Sequence, residues 1–464
     1  MRVLQMDACA DPVGGANIYM IGLADELARR GHTVGIFGTS PDREVDGPRT
    51  RILRRPSWNP SLLVRDRHLT RALEAFIRKI DPDIIHVHNL YSLALEVDRC
   101  LLASGRPVIQ TMHDYSVVCP NAWCVRGDGT ECPGGAGRQC FEHECEKNYP
   151  FDASLVLVTR LRHRLLRRLM RVVISISCHE TALLEKHGFR EVCQVFNYVD
   201  AEKIATPPRS REDRSLLYLG RLDHEKGVAY LLAAMPRILE AEPDTRLTLV
   251  GEGPAAGELQ GQASRLGLQD RVTFHGKVPY EEVKRFYAVS TLMVLPSVWC
   301  ENSPLTAYEC MVAGLPMVGS RIGGIPDLVV EGETGLLVEP RNPEDIAEKV
   351  VHLLRAPEER ARMSARARDR AGLFTREKTV DRIEEIYRSV LAGPQDPPPE
   401  AEDASREDFL MACLHHICVE QHEHEVYEQD LLVQVRTLKA NAKPWPQLKI
   451  LARKAAGKLG LFRR

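Results

Sequence analysis

A chain of 464 residues with 27% charged and 44% hydrophobic content has the composition of an ordinary globular protein and the length for two or three domains. Its formal net charge of −2 excludes a polyelectrolyte that binds nucleic acid through bulk charge, so any basic surface has to be local. No apolar run approaches the about 20 residues of a spanning helix, and Met1-Arg2-Val3-Leu4 enters a strand-like run with no signal-like hydrophobic region, so the expected location is the cytoplasm.

Apolar strand-like runs alternate with helical patterns: 3–6, 33–37, 84–87, 108–112 and 172–176, then 216–219, 247–250, 272–274, 292–295 and 316–318. Such alternation predicts parallel sheets with helices on both faces. The first run leads through Asp11-Pro12-Val13 to Gly14-Gly15 and an amphipathic pattern with Ile18, Ile21 and Leu27. Gly14 and Gly15 therefore stand at the carboxyl end of a strand, where a missing Cβ lets the backbone approach a ligand, although taken alone such a pair is as a rule only a turn. Their spacing is not G-x-G-x-x-G, which argues against a nicotinamide enzyme. The fourth run ends in Met112-His113-Asp114 and puts His113 at the same edge, either capping backbone groups or hydrogen-bonding a ligand hydroxyl.

A turn-rich insertion at 119–145 follows, carrying Cys119, Cys124, Cys132, Cys140, His143 and Cys145. Cys124, Cys132, Cys140, His143 and Cys145 are candidate ligands of a structural zinc, without the paired C-x2-C of a zinc ribbon; free thiols are the other reading, and disulfides a third that a reducing compartment disfavours. Residues 158–172 then place Val158, Leu161, Leu165, Leu169 and Val172 on one helical face and Arg160, Arg162, Arg164, Arg167, Arg168 and Arg171 on the remainder. That reads either as a helix lying on an anionic membrane or as one packed on its own sheet.

Residues 201–214, with Pro207-Pro208 and a run of charges, interrupt the alternation and read as a linker to a second doubly wound domain. That domain opens with Leu219-Gly220-Arg221-Leu222-Asp223-His224-Glu225-Lys226-Gly227. Two cations in a strand-end loop, Arg221 and Lys226, suit the neutralisation of a diphosphate leaving group, a role that a metal ion fills in some transferases; the plainer reading is a solvated loop with an ion pair to Asp223 or Glu225. Gly251 and Gly253 form a further glycine turn after the next run. Most informative is the stretch from Glu301 through Asn302, Ser303, Pro304 and Leu305 to Glu309. A strand broken by Pro296-Ser297 precedes it, and Pro304 fits the first turn of a helix. Backbone N–H groups around Asn302, Ser303 and Leu305 are then set to meet an anion at the helix N-terminus, with Glu301 and Glu309 reaching hydroxyls on either side. A nucleotide sugar has that layout, two sugars flanking a diphosphate. Beyond, 393–407 is a Pro-rich acidic linker, and 408–464 an appendage whose segment 409–435 reads as a helix for self-association or docking, with His415, His416, His422 and His424 solvated on it. Its tail 436–464, rich in Lys and Arg and without Asp or Glu, reads as a second contact to a membrane or an acidic partner.

Together these residues resemble glycosyltransferase family 4, retaining nucleotide-sugar transferases of GT-B fold, from Val3 to about Leu391, with the motifs Gly14-Gly15, His113, Gly220 to Gly227, Gly251-Glu252-Gly253 and Glu301 to Glu309 in the family's order. The resemblance implies an α/β GT-B architecture: two Rossmann-like domains facing across a cleft, 1–200 on the acceptor side and 201–375 binding the nucleotide sugar, with a crossover helix at 376–392 packing back on the first. It also implies that Arg221 and Lys226 bind the diphosphate, Glu301 the donor sugar, Glu309 the ribose and His113 a donor-sugar hydroxyl, with Val278 in a nucleobase wall. Gly14, Gly15, Gly251, Gly253, Asn302, Ser303, Pro304 and Leu305 complete the expected substrate contacts. Catalysis is then a same-face substitution requiring no cofactor and no catalytic metal. The expected partners are a UDP- or GDP-sugar, a glycan or lipid-linked acceptor in polysaccharide or glycolipid assembly, an anionic membrane surface on the inner face, and a second copy of the chain through the C-terminal helix; nucleic acid is not expected. An epimerase of the same fold and a non-catalytic sugar-nucleotide scaffold are the rivals, the latter opposed by the presence of Glu301, Glu309, Arg221, Lys226 and His113.

Overall fold

Strands occupy the continuous apolar runs because both of their faces are covered, and most runs lead into a helix that helps to cover them. The computed structural model describes residues 1–11, 14–55, 65–91, 93–145, 153–204 and 214–393. The acidic linker from 394 onward and the appendage 408–464, with its helix, histidines and basic tail, lie outside them. The first sheet contains β1 (Arg2–Met6), β2 (Thr33–Ser40), β3 (Val45–Asp46), β4 (Thr50–Arg54), β5 (Ile84–Val87), β6 (Val108–Thr111), β7 (Met170–Ser175) and β8 (Val192–Gln194), in the order β3-β4-β2-β1-β5-β6-β7-β8. The second contains β9 (Ser215–Leu219), β10 (Arg246–Val250), β11 (Val272–Gly276), β12 (Leu292–Leu295), β13 (Met317–Ser320) and β14 (Gly335–Val338), in the order β11-β10-β9-β12-β13-β14. Registered pairs are parallel except β3 with β4. The short strands β3, β4, β8 and β14 were not foreseen from the apolar runs; β3 and β8 end one sheet and β14 the other, where burial asks least of the side chains.

The described residues form two compact units: Met1–Ala122 with Gly134–Val173 and 387–393, and Trp123–Pro133 with Ile174–Ile386. Within the second unit the period of two along each strand sorts side chains to opposite faces. Leu216, Tyr218, Leu292, Val294 and Val318 join the core under the helices Val228–Ala241 and Pro343–Arg355, while Leu217, Met293 and Met317 join the core under Tyr280–Val289 and Leu305–Ala313. That is a doubly wound sheet. In the first unit the helix Arg67–Ile80 shows the local logic: the Asp66 carboxylate caps it by accepting the Leu69 N–H at 3.0 Å, and Leu69, Leu73, Phe76, Ile77 and Ile80 are buried at helical spacing.

The arginine-rich segment departs from expectation. Its helix runs Ala153–Leu169, and Arg171 and Val172 belong to β7, where the run Val172-Val173-Ile174 prefers strand. Leu95, Val158, Leu161 and Leu165 form one buried cluster, so the apolar stripe packs inside the unit. Arg162 is buried as well; its guanidinium pairs with Asp98 at 2.9 Å and donates to the carbonyls of Tyr91 and Leu93. Arg160, Arg164 and Arg167 face outward. No described helix is long and apolar enough to cross a membrane.

Candidate active site

In the second unit, the loops at the carboxyl ends of β9, β10, β12 and β13 converge. The first of them, 220–227, carries Lys226, whose Nζ donates to Glu301 Oε1 at 2.7 Å and lies 4.7 Å from the centre of the Trp299 ring. Ser297 Oγ donates to the same carboxylate oxygen at 2.8 Å. The two loops touch backbone to backbone: the Val298 N–H donates to Glu225 O at 2.9 Å, and Gly227, at φ 68°, would place a Cβ 1.9 Å from Pro296 O. Only glycine fits there, and its turn delivers Lys226 to Glu301. Burial pushes the Glu301 carboxyl up, but Lys226 and the hydrogen bonds from Lys226 and Ser297 outweigh it, so the group stays below its ordinary value and ionised.

Arg221 is two-thirds exposed and pairs with Asp223 and Glu225, while Tyr218 Oη donates to its carbonyl at 2.6 Å and fixes the loop. The glycine turn after β10 is explained by packing: a Cβ on Gly251, at φ 139°, would stand 1.9 Å from Gly220 O. A Cβ on Gly253 would stand 2.5 Å from Leu222 O. After β12 the helix begins at Leu305 with Pro304 as its cap, one position later than expected. Glu309, buried in that helix, accepts from Tyr280 Oη at 2.9 Å and Tyr287 Oη at 2.6 Å. Burial raises its pKa, and the phenol hydrogen bonds only partly offset that. The Asn302 side chain is committed to the fold: it accepts from Ser177 Oγ at 2.8 Å and donates to Glu180 Oε1 at 2.6 Å. Ser303 Oγ bonds Tyr308 Oη at 2.6 Å, and Val278 packs against the core.

The first unit has a different strand edge. His113 Nε2 meets His88 Nδ1 at 3.1 Å, His88 Nε2 meets Gln5 Oε1 at 2.7 Å, Gln5 Nε2 donates to Tyr387 Oη at 3.0 Å, and that hydroxyl meets His86 Nδ1 at 2.7 Å. Because Gln5 Oε1 can only accept, His88 carries its proton on Nε2 and His113 donates from Nε2, leaving His113 Nδ1 as an acceptor. Burial pushes His113 and His86 down to about 3, so the imidazoles are neutral. Asp7 at the end of β1 accepts from the Cys9 N–H and Asn17 Nδ2, while its buried Oδ2 has no partner among the described residues; burial pushes its pKa up to about 7. Gly14 caps the helix Gly15–Arg29 in extended backbone, φ −143°, so its dihedral does not require glycine.

The expected zinc ligands divide between the units: Cys124 and Cys132 in the second, Cys140, His143 and Cys145 in the first. All four cysteines are buried. The Cys132 N–H donates to Cys124 O at 2.8 Å, and the Gly137 N–H points at Cys140 Sγ at 3.5 Å.

Residues 199–370 match the model of glycosyl transferases group 1, and 13–203 match that of glycosyltransferase family 4. An uncharacterised glycosyltransferase of Methanocaldococcus jannaschii is 35% identical over 366 residues, covering 72% of this chain and 84% of the relative. The glycogen synthase of Mycobacterium tuberculosis is 32% identical over 421 residues, covering 86% and 97%. This chain belongs to glycosyltransferase family 4. The crystal structure of Anabaena HepE in complex with UDP superposes with a TM-score of 0.62 at 20% identity, covering 84% of this chain and 100% of that one, which establishes the GT-B fold.

For this family 4 transferase, the sequence motifs on β9, β10 and β12 meet in one cluster, and His113 stands at the strand edge of the other unit. Sequence reasoning missed Asp7, Gln5, His88, Tyr280, Tyr287 and the Gly323-Gly324 loop, whose Gly324 N–H donates to Glu301 O at 2.6 Å. A Gly-Gly pair after an apolar run was the available signal for that loop. The phenols around Glu309 gave none, since they come from a helix distant in sequence.

Proposed function

We propose that the enzyme moves a sugar from a nucleotide-diphosphate donor to a hydroxyl acceptor with retention of configuration. The observation that carries this is the pair of the partly buried Lys226 with the buried Glu301 at 2.7 Å beside the N-terminus of the helix Leu305–Ala313. A cation and a helix N-terminus suit a diphosphate, and an ionised carboxylate held in place suits sugar hydroxyls. Lys226 and Arg221 neutralise the departing diphosphate without a catalytic divalent ion, Glu301 orients the donor sugar, and Glu309 among its tyrosines accepts from the ribose. His113, as the family resemblance implies, hydrogen-bonds a donor-sugar hydroxyl. Both glutamates are engaged by fold partners, so neither is placed as a nucleophile. In the same-face substitution the bond from the anomeric carbon to the phosphate oxygen breaks, the acceptor oxygen bonds that carbon, and its proton passes to the leaving phosphate. Nucleoside diphosphate and glycoside leave.

Structures of this fold in complex with UDP and with UDP-glucose support a UDP-sugar donor, with a GDP-sugar as the alternative. We read the acceptor as a glycan or lipid-linked hydroxyl. The outward arginines 160, 164 and 167 support an electrostatic contact with anionic lipid rather than insertion, since the apolar stripe is internal; salt-sensitive sedimentation with anionic vesicles checks it. The deciding experiment is product analysis with a panel of UDP- and GDP-sugars. The transferase reading requires nucleoside diphosphate released in step with acceptor glycosylation, and an isomeric nucleotide sugar as sole product would replace it with an epimerase.

A further inference from the structure

Outside the donor cluster, a Glu131 carboxylate oxygen, a His179 ring nitrogen and Cys300 Sγ all lie within 4.8 Å of one another. They come from separate segments of the second unit. Glu131 is on a hairpin in which Val125 and Glu131 pair antiparallel, His179 is in the first turn of the helix Cys178–Lys186, and Cys300 precedes Glu301. Other contacts already hold these segments together. Trp123 meets Trp299 edge to face at 6.2 Å, His187 Nε2 meets Pro133 O at 2.9 Å, and Ser177 Oγ donates to Asn302 at 2.8 Å.

We propose that Glu131, His179 and Cys300 form a zinc site that pins the hairpin and the helix start to the donor loop. One sulfur, one nitrogen and one oxygen ligand suit this borderline-soft ion, and three protein ligands leave its fourth tetrahedral position to water. Cys300 is fully buried and Glu131 exposed, so the ion sits at the rim with its water outward. Zinc bonds of about 2.0–2.3 Å put ligand atoms about 3.3–3.7 Å apart. His179 Nε2 and Glu131 Oε1 are already at 2.9 Å, and rotation of the exposed Glu131 side chain supplies the adjustment. Binding displaces the Cys300 thiol proton to solvent. The set shares no residue with the cysteine-loop ligands expected from sequence, and it stands independently of the donor reading.

The test uses the full chain prepared without chelator, with zinc measured by elemental analysis and affinity by competition with a chromophoric chelator. Glu131→Gln, at an exposed position, and His179→Gln should each weaken zinc binding by at least about 10- to 100-fold, the range already seen for outer-shell partners, with circular dichroism checking that the fold is kept. Cobalt-loaded protein should show a thiolate-to-metal charge-transfer absorption that Cys300→Ser abolishes. Undiminished zinc affinity in both Glu131→Gln and His179→Gln, or a wild-type chain that takes up no zinc from a zinc-buffered solution, overturns the proposal.

Discussion

The two strand edges solve the burial of ionisable groups in opposite ways. At the β9 and β12 loops a buried carboxylate meets a partly buried ammonium at 2.7 Å, and the attraction keeps Glu301 ionised against its desolvation. At the β1, β5 and β6 edge burial dominates: it drives His86, His88 and His113 neutral, with repulsion between the imidazoles adding to it for His86 and His88, and it drives Asp7 toward its protonated form, with the Asp114 carboxylate adding to it. Pairing decides which way a buried group goes. The charged edge suits a phosphate, and the neutral one suits hydroxyls.

The sharpest way to break the contrast is Lys226→Ala. Turnover should fall about 10²- to 10³-fold, the range for losing one preorganised charge-stabilising group, and nucleoside diphosphate release rates measure it. A near-normal rate removes Lys226 from the reaction. The neutral edge is tested through Asp7. Its folded-state pKa lies above the unfolded one, so the native state holds a proton that the unfolded chain releases as pH rises from the ordinary 3.8 to about 7, and stability is lost across that window. Asp7→Asn should therefore be the more stable protein at about pH 8.5 by on the order of 3 kcal/mol, with the difference vanishing near about pH 4. Urea unfolding at both pH values shows it; equal stability at high pH would mean that Asp7 ionises freely.

Tyr387→Phe removes the hydroxyl shared by Gln5 and His86, both fully buried, and should cost about 2 kcal/mol because it strands their polar atoms. Chemical denaturation of purified protein is the measurement, and a cost within error would show that the network relaxes around the gap. The smallest effect belongs to Glu309→Gln. Losing one charge-assisted hydrogen bond to a ribose should raise the donor KM about tenfold with kcat little changed. If kcat falls instead and KM holds, Glu309 acts on the transition state and not on the nucleoside.

Legibility in the sequence followed how local the determinant was. Ile84–Val87 and Leu292–Leu295 are strands with the bounds expected, because apolar runs of strand length flanked by turn residues leave little choice. The arginine-rich segment was half legible. Its helical period predicted a buried stripe, but the sequence does not say what covers a stripe, and Leu95 of another helix does. Likewise Arg162 reads as surface charge in a run of arginines, until Asp98 gives it an interior partner.

By itself the amino-acid order determined the alternation of strand and helix, hence two parallel sheets, and the placement of Arg221, Lys226, Glu301 and His113 at strand ends, since each of these depends on neighbours within one supersecondary unit. Tertiary structure alone decided which of those groups carry charge. Lys226 reaches Glu301 from 75 positions away through a glycine pressed on Pro296, Glu309 meets tyrosines instead of cations, and Asn302 is spent on Ser177 and Glu180. Desolvation and pairing are properties of the space around a group, and that space exists only once the chain has folded.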